Sequence, residues 1–225
     1  MKGTNSSFYD ILDSRNRSLL LQANADGVST EMYEEDELRG TCLPTKEVFL
    51  LAASLNEILV KACEDTSNDL TTAIICDIGC GIGNGAELIA RTLTVNEKLP
   101  HLHGIKIVGV EKIPEYAEIA RGIFANITPN SDVICDDIRN SRQDVISNTV
   151  SFDDLGDREV SIVYCNEVFS DSMYQNLLEQ ELIAKAPIST FFIFPRGLKA
   201  AYNAGIRAYG NKVFQKISNN VTVID

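Results

Sequence analysis

The stretch Ala73-Ile-Ile-Cys76-Asp77-Ile-Gly79-Cys-Gly81-Ile-Gly83-Asn84 decides the fold. Its apolar run, Ala73 to Cys76, has the length and continuity of a buried parallel strand. The strand ends in Asp77 and enters a loop with glycine at alternate positions, after which 85–93 reads as a helix. Glycine permits the tight turn and the positive φ angles that such a loop needs. It also lets a ligand reach the backbone with no β-carbon in the way, while amides at the helix start face that ligand.

The alternation continues on both sides. Upstream, Thr45 to Lys61 repeats Val48, Leu51, Ala52, Leu55, Ile58 and Leu59 at helical steps, with Thr45 as N-cap. Downstream come a strand at Ile105 to Val110, a helix at Pro114 to Phe124 and strands at Val133 to Cys135 and Ser161 to Tyr164. A helix at Met173 to Ala184 and a strand at Thr190 to Phe194 follow. Strands alternating with helices predict an α/β fold with a doubly wound, mostly parallel, Rossmann-like sheet. Residues 1–39 are polar and end in the acidic stretch Glu31 to Glu37. They are expected to form a helical or partly mobile N-terminal segment ahead of a catalytic domain at 40–225, with Gly40 and Pro44 breaking the pattern between them.

The 225 residues suffice for one well-filled domain with a small appendage. Six cysteines with no C-x-x-C pair read as the reduced thiols of an intracellular protein rather than a disulfide framework. No apolar run approaches the ~20 residues of a membrane span. The formal charge of -12 argues against a domain that grips bare nucleic acid with its own surface, and fits a basic protein substrate better. Glu34-Glu35-Asp36-Glu37 reads as a solvated face, or as a lure for a basic tail. The sequence has no P-loop, no G-x-S-x-G elbow and no zinc spacing; His101 and His103 read as loop residues, and no metal is expected. Cys80 reads as a small loop residue, not a nucleophile.

Asp77, Glu111, Asp137 and Asn166 each fall at the C-terminal end of an expected strand, the edge of an open α/β sheet where ligands bind. Singly, each reads equally well as a cap or turn residue; together they read as one site. Two ligand classes compete for the loop. Gly81-Ile-Gly83-Asn-Gly85-Ala86 matches the dinucleotide fingerprint G-x-G-x-x-G/A. Against it stand the additional Gly79, the Asp77 carboxylate that would crowd a pyrophosphate, and the spacing to Glu111, about 30 positions rather than ~20. A carboxylate beside the loop suits a ligand that carries an ammonium and a sulfonium, as S-adenosylmethionine does. Glu111 would then accept both ribose hydroxyls, Asp137 the adenine amine, and Ile138 would cover the adenine or simply belong to the core. Gly79, Gly81, Gly83 and Asn84 complete the cofactor-binding set.

The loop looks like that of class I methyltransferases. Val108-Gly-Val-Glu-Lys112, followed by Ile113-Pro114-Glu115-Tyr116-Ala117-Glu118, resembles the non-SET histone lysine methyltransferases of the disruptor-of-telomeric-silencing type. Gly40-Thr-Cys-Leu-Pro44 looks like that family's cofactor-covering loop, and Tyr164-Cys-Asn-Glu-Val-Phe169 like its stretch after the fourth strand. The resemblance spans roughly 38–200. It implies that Thr41 and Cys42 join the cofactor site and that Asn166 is the catalytic residue, orienting cofactor or amine beside the methyl group. It further implies a lysine acceptor on a histone or nucleosome, and a nuclear location; otherwise a cytoplasmic one is expected. The chain departs from the pattern at Arg39, Thr41, Cys165 and Glu167; the lysine channel is then shortened, closed by Tyr202 or Tyr209, or absent, and Phe169 reads as core packing in preference to a channel wall. A methyltransferase for a small molecule or another protein, and a non-catalytic binding module with this fold, are the alternatives.

Overall fold

The structure, a computed structural model, describes residues 8–25, 45–66, 70–138, 158–166, 168–169, 172–198 and 201–224. Thr41, Cys42, the acidic stretch at 31–37 and Glu167 lie outside the described residues. The helices are α1 (Phe8–Ala25), α2 (Thr45–Thr66), α3 (Asn84–Thr94), α4 (Pro114–Ala125) and α5 (Ser172–Lys185). The strands are β1 (Thr72–Ile78), β2 (Gly104–Glu111), β3 (Ser131–Cys135), β4 (Glu159–Cys165), β5 (Phe191–Ile193), β6 (Ala201–Ala204), β7 (Ile206–Tyr209), β8 (Val213–Lys216) and β9 (Thr222–Ile224).

Seven strands form one sheet in the order β3-β2-β1-β4-β5-β8-β7. The first five are parallel, and β8 runs antiparallel between β5 and β7. This is the doubly wound, mostly parallel, Rossmann-like sheet expected from the sequence. Alternation along each strand splits the core into two layers. Ala73, Ile75, Ile107, Val133, Ile162 and Phe191 face α2, α3 and α4. Cys76, Ile78, Val110, Val163, Cys165 and Phe192 face α5. The strand order reverses between β1 and β4, the switch point at which such sheets open a ligand crevice.

The N-terminal segment contains a docked helix. Leu12 of α1 joins the cluster that holds Val48, Ala52 and Leu55 of α2. Leu19 and Leu20 pack against Ile82, Ile113 and Tyr116. Thr45 is the first residue of α2, and its backbone N–H and hydroxyl both donate to Asp13 of α1, so the carboxylate that meets the start of α2 comes from another helix.

The antiparallel strands at 206–216 had no counterpart in the sequence reading. They are four residues each and mix Arg207, Gln215 and Lys216 with their apolar residues, too few for a periodic signal. Gly210, at φ 76°, closes the turn between them.

Candidate cofactor site

The glycine loop is a chain of left-handed turns, with Gly79 at φ 66°, Gly81 at 53° and Gly83 at 89°. Two of these glycines have different reasons for lacking a side chain. A β-carbon on Gly83 would come within 2.6 Å of Phe124, so this glycine is needed for packing against α4. A β-carbon on Gly81 would meet nothing within 4 Å. The space over Gly81 is open, as a backbone approached by a ligand requires.

The loop is held from below by acids. Asp77, the penultimate residue of β1, is 1% exposed, and its Oδ2 accepts from Ala86 N at 3.0 Å. That bond supplies the cap α3 otherwise lacks, because Gly83 has no side chain to give. Burial pushes the Asp77 carboxyl up to about 7; the Ala86 amide pulls it down and the Glu111 charge adds to the rise. Glu111, the last residue of β2, is 9% exposed. Its Oε2 accepts from Gly81 N at 2.8 Å, and its Oε1 from Ile113 N at 2.9 Å. The loop's amides are thus answered by two carboxylates of the protein itself. That arrangement presents negative charge where a pyrophosphate would need bare N–H donors.

The remaining residues of the set stand around this pair. Asp137 lies two positions beyond β3, half-buried, with Oδ2 3.4 Å from Lys112 Nζ. Ile138 is buried with Val110 and Ile78 in the layer facing α5. Asn166 follows β4 directly, across the switch point from Asp77. Asn84 opens α3, is 5% exposed, and its Oδ1 accepts from Asn16 Nδ2 at 2.8 Å. Asp77, Asn84, Glu111, Asp137 and Asn166 therefore share one edge of the sheet.

Other sequence suspects go elsewhere. Phe169 is 1% exposed and packs with Leu178, Leu182 and Phe192 in the core, its ring 6.1 Å from Tyr174. Tyr209 lies against Phe191 on the sheet layer facing α2, with its hydroxyl on Gln215. The side chain of Tyr202 lies outside the described residues. Burial raises the Cys76, Cys80 and Cys165 thiols, so these three stay protonated and none supplies a thiolate nucleophile. Among the described residues, no group of His, Cys, Asp and Glu could hold a metal ion. A groove lined by Thr72, Gly104, Ser131 and Glu159 lies at the strands' N-terminal ends, the edge opposite the glycine loop.

Sequence reasoning missed a second polar cluster, in the first turn of α3 beside the glycine loop. Arg15 of α1 grips Glu87 of α3 through Nη1 to Oε1 at 2.9 Å and Nη2 to Oε2 at 2.5 Å. Arg91 Nε donates to the same Oε1 at 3.0 Å. Burial alone would push the Glu87 carboxyl up; the two arginines outweigh it and hold it below its ordinary value. An acid four residues before Arg91 was the available signal; Arg15, 72 residues away, had none.

No protein-family model and no curated protein matches the sequence. Among solved structures, an O-methyltransferase from Bacillus cereus in complex with SAH matches at TM-score 0.46 and 15% identity, over 89% of this chain and 88% of that one. Magnesium protoporphyrin IX methyltransferase from Synechocystis PCC 6803 with bound SAH matches at TM-score 0.38 and 13% identity, over 82% and 68%. Its structure with bound SAM matches at 0.37 and 11%, over 94% and 96%.

Proposed function

We propose that the protein is an S-adenosylmethionine-dependent methyltransferase that acts on a lysine amine of a basic protein, with histones as the first candidates. The observation that carries the cofactor is the pair of buried carboxylates, Asp77 and Glu111, bonded to the amides of a glycine loop that is open over Gly81. Asp77 would face the ligand's ammonium. Glu111, already oriented by two backbone amides, keeps lone pairs for the ribose hydroxyls. Asp137 and Ile138 would take the adenine. When bound, the cofactor supplies a methyl group on a positively charged sulfur.

The chain's own residues then have three tasks: to place the acceptor nitrogen, to exclude water and to leave that nitrogen neutral. Free lysine has a pKa near 10.4, so the amine must lose a proton before it attacks. An apolar wall favours the neutral form. Asn166, just past β4, is assigned the orientation of the amine. The lysine reading draws its support from the Gly-Val-Glu-Lys resemblance and from the charge of -12, which attracts basic partners. It would place the protein in the nucleus. A small-molecule acceptor is the second reading. It is favoured by Phe169 and Tyr209, which pack inside the structure rather than walling a channel.

The test is calorimetric titration with S-adenosylhomocysteine, followed by transfer of tritiated methyl from the cofactor to free histones and nucleosomes. Binding with label on histone lysines is expected. Binding without label on either would overturn the lysine acceptor and leave the small-molecule reading; no binding would overturn both.

A further inference from the structure

We propose that α1 is a working part of the cofactor site, and that Arg15 and Asn16 are positioning residues that fix Asn84 as a hydrogen-bond donor toward the amino-acid end of the ligand. This rests on the cofactor reading above.

The inference follows from donor and acceptor identities. Arginine has only donors. Arg15 Nε and Nη2 both point at Asn16 Oδ1, at 3.1 and 2.8 Å. Asn16 must therefore keep its oxygen toward the guanidinium and its Nδ2 outward. That Nδ2 donates to Asn84 Oδ1 at 2.8 Å in a buried contact. Asn84 has its oxygen engaged, and what remains to it is the N–H donors. A fixed charge on α1 thus sets the polarity of a side chain at the first residue of α3, next to the open loop.

The same guanidinium anchors the relay to the helix behind the loop. Glu87 is wholly buried, and Arg15 holds both its oxygens while Arg91 shares one. Leu19 and Leu20 pack against the cluster of Ile82, Ile113 and Tyr116, in which Ile82 is the residue between Gly81 and Gly83. A donor at Asn84 matches a carboxylate. The buried Asp77 below matches an ammonium. Together they describe the two ends of an α-amino acid, the part of the ligand that a nucleoside lacks.

The design of the test follows. Arg15→Gln removes the charge and the fork but leaves Arg91 on Glu87, so α3 keeps an ionic partner. S-adenosylhomocysteine and 5′-methylthioadenosine, which shares the nucleoside and lacks the amino-acid tail, serve as probes. Arg15→Gln is expected to weaken S-adenosylhomocysteine by about 10-fold and leave methylthioadenosine unchanged. Arg15→Lys should recover part of the loss. Leu12→Ala, which loosens α1 on α2 without touching the relay, should lower the melting temperature and leave both affinities unchanged. Equal loss for both probes, or loss with Leu12→Ala as large as with Arg15→Gln, would reduce the relay to a structural support and overturn the proposal. Should the wild-type protein bind neither probe, the cofactor reading fails. Amide exchange still decides the relay in that case: Arg15→Gln should speed exchange at Gly81 and Ala86 by about 10-fold relative to Leu12→Ala, and no difference between the two variants would overturn the relay.

Discussion

The β1–α3 and β2–α4 units solve one problem in two ways. Both helices start without a side-chain cap: α3 at a left-handed Gly83, α4 at an extended Ile113 with Pro114 behind it. Both borrow a carboxylate from the end of the preceding strand. Asp77 gives its oxygen to Ala86, inside its own unit. Glu111 divides its two oxygens, one to Ile113 in its own unit and one to Gly81 in the other. Asp77 is thus a buried local cap that is costly to ionise. Glu111 is a staple between units, fixed by two amides. Position at a strand end does not settle an acid's role; the owner of the amides does.

Breaking the staple should have the largest effect. Glu111→Ala is expected to abolish measurable S-adenosylhomocysteine binding in calorimetry, a loss above about 100-fold, and to lower stability by ~1–3 kcal/mol, since the buried Ile113 amide and the part-buried Gly81 amide lose a charged acceptor. Retained affinity would show that the two units hold the loop without it. Asp77→Asn should come next, weakening binding by about 10-fold or more at pH 8.

The same variant sharpens the comparison through pH. Burial raises the Asp77 carboxyl from 3.8 to about 7, so the folded state favours its proton. The stability this group contributes is complete below pH ~4 and is lost as pH rises through about 7. An ammonium-bearing ligand needs the anion. Wild-type affinity should therefore climb about tenfold per pH unit up to pH ~7 and level off above it, while Asp77→Asn stays flat. A flat wild-type profile would mean that the ligand does not meet Asp77.

Two glycine variants then separate packing from ligand access. Gly83→Ala forces a β-carbon onto Phe124 and should cost ~2–4 kcal/mol in denaturant unfolding. Gly81→Ala meets open space and should cost only ~1–2 kcal/mol for its left-handed backbone. It should nonetheless lose more affinity than stability, because the added methyl stands where the ligand approaches. The smallest change belongs to Lys112→Ala. Its partly exposed pair with Asp137 is worth ~0.5 kcal/mol or less in a melting experiment.

Much of this was legible in the sequence because it is local. The runs of β1 and β2, the loop glycines and the bonds of Asp77 to Ala86 and of Glu111 to Ile113 are local, whereas the bond of Glu111 to Gly81, 30 residues back, is not. Phe169, read as core packing in preference to a channel wall, is buried against α5 and β5 as that reading has it. The inner face of α1 was harder still. Leu12, Asn16, Leu19 and Leu20 share one helix face, but Asn16 and the neighbouring Arg15 make that face look solvated. Their burial depends on Glu87 and Asn84, about 70 residues away, and no window of the sequence joins them. Lys216 failed as a signal for the same reason. A buried lysine reads as an exposed strand residue until Ala184, in the last turn of α5, and Ala186, just past its end, offer their carbonyls.

The order β5-β8-β7 also carries a consequence in time. Chain synthesis delivers β5 first, then β6 and β7, and only then the strand that pairs with β5. Until Val213–Lys216 arrives, Phe191, Phe192 and Ile193 offer an open apolar edge, the kind to which another unfinished chain can bind. Phe214→Pro, which breaks the β5–β8 pairing at Phe192, should raise the aggregated fraction on refolding from denaturant.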